Sequence, residues 1–64
     1  MHLPHARLLF IIAELYQQDK ITESQKLALK YGVLKDDWQL LELFDENSDD
    51  IEKVNEELVK FANE

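Results

Sequence analysis

The sequence predicts an all-α protein, a small four-helix bundle, and three observations carry that prediction. Apolar residues recur at helical spacing in four successive segments. Residues suited to helix starts stand just before three of those segments: Thr22 with Gln25, Asp36 with Gln39, and Asn47 or Ser48. No repeat, low-complexity tract or linker divides the 64 residues, so one domain spanning 1–64 accounts for them.

The first helix is expected near 5–18, entered at Leu3-Pro4, where proline's missing N–H is not needed. Leu8, Ile11, Ile12, Leu15 and Tyr16 form one face, and Leu9, Phe10 and Ala13 widen it until only Arg7, Glu14 and Gln17 are polar. A helix this apolar is central to the bundle or partly reserved for a partner. Asp19-Lys20 then makes a tight connection.

The second helix is expected near 22–31. Thr22 and Gln25 have the form of a capping box, in which each side chain satisfies an exposed backbone N–H of the other. Lys26 and Lys30 suit the negative end of its dipole, and Gly32, the only glycine, is read as the left-handed residue that ends it. Leu27, Ala28 and Tyr31 are its expected inward stripe.

The third helix is expected near 37–45, capped by Asp36 and Asp37, with Leu40, Leu41 and Phe44 together and Trp38 and Leu43 on its flanks. The fourth, near 49–62, carries Ile51, Val54, Leu58 and Phe61 as a 3-4-3 stripe, with Lys53–Glu57 and Glu56–Lys60 pairs outside.

Sixty-four residues lie near the lower size at which burial alone stabilises a fold, so most large apolar side chains must enter the core and little remains for a deep pocket. Hydrophobic residues make up 45% of the chain, enough to argue against disorder. The absence of cysteine excludes disulfides and thiolate metal sites and points to a cytoplasmic or nuclear setting. The longest apolar run, Leu8 to Ala13, stops at Glu14, far short of the roughly 20 residues that span a bilayer, and no signal-peptide pattern surrounds it. Met1 leaves open whether the chain is whole or a domain excised from a longer protein.

The net charge of −7 is unevenly placed. Residues 1–35 hold five cations against three acids, whereas residues 36–64 hold eleven acids against Lys53 and Lys60. An acidic pole of this size repels phosphate backbones and attracts basic surfaces.

Leu27-Ala28, Tyr31-Gly32-Val33, Trp38 and Leu41 resemble a helix-turn-helix in their spacing, with a small residue, a glycine four positions on, and apolar anchors on the next helix. The middle pair is therefore expected to be helix-turn-helix-like. DNA binding does not follow, because the outward positions of the second helix of that pair are Asp36, Asp37, Gln39 and Glu42, which oppose phosphate attraction.

Asp45, Asn47, Asp49 and Glu56 fall at the first, third, fifth and twelfth places of an EF-hand-like loop, but the sixth place, which needs glycine, is Asp50. An acidic helix start explains the same residues without an ion. His2 and His5 read as solvent-exposed side chains near a frayed terminus, and Ser24 and Ser48 as helix-start residues. No metal ligands, no cofactor and no catalytic residues are assigned, and the chain is read as not an enzyme.

The function expected is that of a non-enzymatic protein-interaction or adaptor module. Its acidic face, with an apolar anchor, would bind a basic or amphipathic helical segment of another protein, with no direct nucleic acid and no membrane. Trp38 is the anchor, with Leu34 and Leu43 beside it and Asp36, Asp37 and Glu42 as the steering acids. Replacing Asp36 and Asp37 with lysine is expected to slow association. Two alternatives are a helix-turn-helix-like regulator that occupies nucleic-acid-binding proteins, and an oligomerisation domain that pairs through Leu9 and Phe10 of the first helix.

Overall fold

The architecture follows from how each helix is started, stopped and tied to the next. In the computed structural model, which describes residues 4–64, the order is α1 (Pro4–Gln17), α2 (Glu23–Leu34), α3 (Trp38–Glu46) and α4 (Ile51–Ala62). Among the described residues there is no strand, and no helix is long and apolar enough to cross a membrane. Four packed helices make this a small all-α bundle. Leu3 and His2 lie outside the described residues.

The capping box at α2 is present in full. Thr22 Oγ1 accepts the Gln25 N–H at 3.1 Å, and Gln25 Oε1 accepts the Thr22 N–H at 2.9 Å. Gln25 does more than that pattern requires. Its amide nitrogen donates to the Ala62 carbonyl at 3.3 Å and to Asn63 Oδ1 at 3.0 Å, so one side chain joins the start of α2 to the end of α4.

Both turns that follow α1 and α2 are Schellman motifs with an aspartate at the left-handed position. After α1, the Asp19 N–H donates to Tyr16 O and the Lys20 N–H to Leu15 O, with Asp19 at φ 60°. After α2, the Asp36 N–H donates to Val33 O and the Asp37 N–H to Gly32 O, with Asp36 at φ 58°. The expectation that Gly32 ends α2 is therefore corrected: the helix runs on to Leu34, and Asp36 supplies the left-handed residue. Glycine is needed at position 32 for a different reason. A Cβ there would lie 2.8 Å from Leu40 Cδ1, so Gly32 lets α3 lie against α2.

Two other caps are also displaced from expectation. Asp37, not Asp36, is the N-cap of α3, and its carboxylate accepts the Gln39 N–H at 3.0 Å. Asp50, rather than Asn47 or Ser48, caps α4 by accepting the Lys53 N–H at 3.2 Å. Asn47 instead closes α3, donating its side-chain amide to Leu43 O, while Ser48 Oγ sits 3.4 Å from Asp45 O.

The core is built by Leu8, Ile11, Ile12 and Leu15 of α1, Leu29 and Val33 of α2, Leu40 of α3, and Val54 and Leu58 of α4, with Ile21 from the first connection. α1 gives four residues to the core and Leu9 and Tyr16 to its margin, while Phe10 and Ala13 of its wide apolar arc remain exposed. The expected inward stripe of α2 is wrong: Leu27, Ala28 and Tyr31 are exposed, and Leu29 and Val33 face the core. Two sets of apolar residues lie on opposite sides of this helix, and the one closed over by α1 is the shorter. Ile51, expected in the α4 stripe, is exposed at the start of that helix, while Val54 and Leu58 are fully buried. Leu41 and Phe44 are half-buried against the core.

Candidate interaction site

The residues that stand out at the surface are apolar ones left uncovered beside carboxylates. Trp38 begins α3 and is 66% exposed, on the side of the helix away from buried Leu40. Along α3, Trp38, Glu42 and Glu46 follow at four-residue spacing, with Gln39 and Leu43 in the adjacent row. Across from them α4 presents Glu57, Phe61 and, just past its end, Glu64. These residues with Asn47 line an open groove of about 290 Å³ between α3 and α4.

Four carboxylates thus border a floor made of Trp38, Leu43 and Phe61. Glu57 has lysines on its outer side, Lys53 at 3.7 Å and Lys60 at 3.9 Å. The first of these pairs was expected; the expected Glu56–Lys60 pair is replaced by Lys60 with Glu57. Among the described residues Glu42, Glu46 and Glu64 have no cationic partner. Lys20, Lys26, Lys30 and Lys35 pair with no acid either; Lys26 Nζ lies 4.2 Å over the Tyr16 ring and Lys35 Nζ 5.5 Å over the Tyr31 ring. Three of the four border carboxylates, Glu42, Glu46 and Glu64, are thus left without a cation among the described residues, and only Glu57 is paired.

Of the six residues singled out in the sequence, the structure brings Trp38, Glu42 and Leu43 together in this groove. Asp37 lines an adjoining hollow of about 410 Å³ that shares Phe61 and Glu64 with it, although its carboxylate is engaged as a cap. Leu34 and Asp36 line neither. Asp36 sits on the left-handed turn, where its carboxylate meets His5 Nε2 at 2.5 Å. His5, expected to be solvent-exposed, is half-buried by that contact, with its Nδ1 buried and unpartnered.

Three features were not foreseen. Phe61, Glu57 and Glu64 complete the groove from α4, and only the antiparallel return of that helix places them opposite Trp38. Leu27, Tyr31 and Leu34 form an uncovered row on the side of α2 away from the core, 53%, 60% and 61% exposed. A larger groove of about 480 Å³ lies between α1 and the start of α4, with Phe10 and Ile51 at its mouth.

The α3/α4 groove is lined by no Ser, Thr, His or Lys side chain, and its ionisable side chains are the four carboxylates. Among the described residues no three His, Asp or Glu side chains are grouped to hold a metal ion, and the Asp45–Glu56 segment uses Asn47 and Asp50 on backbone groups. An apolar floor edged by carboxylates in water is suited to long cationic side chains, whose stems cover the floor while their charges meet the edge. No known family, curated protein or solved structure matches the chain.

Proposed function

We propose that this protein is an interaction module whose α3/α4 groove takes a basic, amphipathic helical segment of another protein. The observation that carries the reading is the groove itself, in which exposed Trp38 lies with Leu43 and Phe61 inside a border of Glu42, Glu46, Glu57 and Glu64. Tryptophan exposed beside a concave apolar patch is a favoured binding anchor, and the acids around it act mainly on orientation and rate of encounter. An apolar stripe with lysine or arginine on its margins matches both parts.

The test is charge reversal at the border. Glu42→Lys with Glu46→Lys leaves the caps and the core untouched, since both side chains are exposed and neither makes an ion pair or a cap among the described residues. With a lysine-rich amphipathic peptide as probe, the pair of changes is expected to lower the association rate at low salt by roughly tenfold and to flatten its salt dependence. An association rate unmoved by the reversal contradicts the reading. The lysine changes first expected to serve, at Asp36 and Asp37, are less suitable because both side chains have structural partners.

A further inference from the structure

We infer that the outward face of α1 is a two-fold contact with a second copy of this chain. At roughly 3.6 residues per turn, Ala6, Arg7, Phe10, Ala13, Glu14 and Gln17 fall on one strip, turned away from Leu8, Ile12 and Leu15 in the core. Phe10 stands in the middle of the strip, 64% exposed, at the mouth of the groove of about 480 Å³ that Ile51 borders. Small residues, Ala6 and Ala13, flank it on either side, leaving room for another aromatic ring to lie against the helix.

What selects a second copy as the occupant is the charge pattern. Arg7 and Glu14 lie about 10 Å apart along the helix axis, at 1.5 Å per residue, with Phe10 close to their midpoint. Both lean to the side of the strip that borders the α1/α4 groove. Among the described residues neither has an ionic partner within the fold. A two-fold axis through the midpoint runs the two α1 helices antiparallel and sets each Arg7 against the Glu14 of the other copy, while the two Phe10 rings meet beside Ile51. The strip is complementary to itself in charge and in shape.

The other uncovered row is less evenly balanced. Leu27, Tyr31 and Leu34 on α2 are bordered by Lys30 and Lys35, with Lys26 nearby, against a single acid, Glu23; an antiparallel pairing of two α2 helices sets each Glu23 against the Lys30 of the other copy but leaves Lys26 and Lys35 unmatched. A strip one helix wide sits at the small end of interface sizes, where weak, transient association is the rule, so the dimer is expected only toward the upper end of the concentrations tested below. This contact uses none of the residues of the α3/α4 groove, and it stands or falls separately from the function proposed for that groove.

The experiment is sedimentation equilibrium of the whole chain from about 5 μM to 1 mM, repeated for Arg7→Glu, for Glu14→Arg and for an equimolar mixture of the two. Each variant alone places like charges together twice across the axis, and its dimer is expected to weaken roughly tenfold. In the mixture, one copy carries Glu at both positions and the other Arg at both, so both contacts are restored and a mixed dimer forms at close to the native strength. Helical circular dichroism of each variant checks that the fold is kept, and Phe10→Asp removes association whatever the charges do. A native chain that stays monomeric to 1 mM overturns the inference. So does a mixture that associates no better than its components.

Discussion

Leu40 Cδ1 lies where a side chain at Gly32 would begin, 2.8 Å from the position of its Cβ, and this contact fixes how closely α2 and α3 approach. Leu40 is 1% exposed, so it cannot swing away without displacing the core. Gly32→Ala gains about 1 kcal/mol of helix propensity and loses about 1–3 kcal/mol to overpacking, for a net loss near 1 kcal/mol. Adding Leu40→Val removes the obstructing methyl group's reach. The double variant is expected to be more stable than the sum of the two single effects by at least about 0.5 kcal/mol, measured by urea unfolding. Strict additivity would contradict the contact with Leu40 as the reason for glycine at this position.

Asp19 and Asp36 each adopt a backbone conformation that costs a non-glycine residue about 1 kcal/mol or more. Asp19→Gly is expected to raise Tm by about 4 °C, given the sensitivity of a domain this small. Asp36→Gly is expected to raise it less, because the hydrogen bond from His5 is lost with the carboxylate. Thermal unfolding of the two variants side by side checks the order; a larger gain at Asp36 would deny the His5 contact any weight.

Gln25 serves one end of each of two helices, the start of α2 and the end of α4. Gln25→Ala removes an acceptor for the Thr22 N–H and a donor to Ala62 O and Asn63 Oδ1, for an expected loss of about 1–2 kcal/mol. Faster amide exchange in the last turn of α4, remote in sequence from the change, is the distinguishing sign. If only the first turn of α2 exchanges faster, the link to α4 contributes nothing.

Trp38 is mostly in water, so Trp38→Ala should change stability by no more than about 0.5 kcal/mol while lowering affinity for a basic amphipathic peptide by at least tenfold. Chemical unfolding and a fluorescence-independent titration, such as calorimetry, read the two effects separately. A variant that unfolds easily would place Trp38 in the core's service after all.

Much of the fold was legible because its determinants are local. Thr22 and Gln25 form a box whose parts are three residues apart, and α1, the most apolar helix, supplies the largest share of the core through Leu8, Ile11, Ile12 and Leu15. The errors fall where a distant partner chooses between local options. On α2 the row Leu27, Tyr31, Leu34 is longer than the pair Leu29 and Val33, and periodicity alone favours the longer; α1 covers the shorter. Gly32 fits a helix end by residue type, yet its role is set by Leu40, eight positions on. Ile21 is buried from within a connection, where no periodicity exists to mark it.

The groove was half legible for the same reason. Trp38, Glu42 and Leu43 share one short helix, and their four- and five-residue spacing is visible in the chain. Glu57, Phe61 and Glu64 join them only through tertiary return. Asp36 and Asp37 carry the charge expected of them, but the turn between α2 and α3 draws on their side chains first.

The central claim is that carboxylates around Trp38 make a landing place for a cationic, half-apolar helix. Amide shift mapping of the labelled chain during titration with a lysine-rich amphipathic peptide tests it most directly. The expected result is saturable shifts at Trp38, Glu42, Leu43, Glu46 and Phe61, with the Trp38 indole N–H among the largest, weakening as salt rises from 50 to 300 mM by a factor of roughly ten or more. Shifts confined to α1 or to the outer face of α2, or no shifts at millimolar peptide, would contradict it.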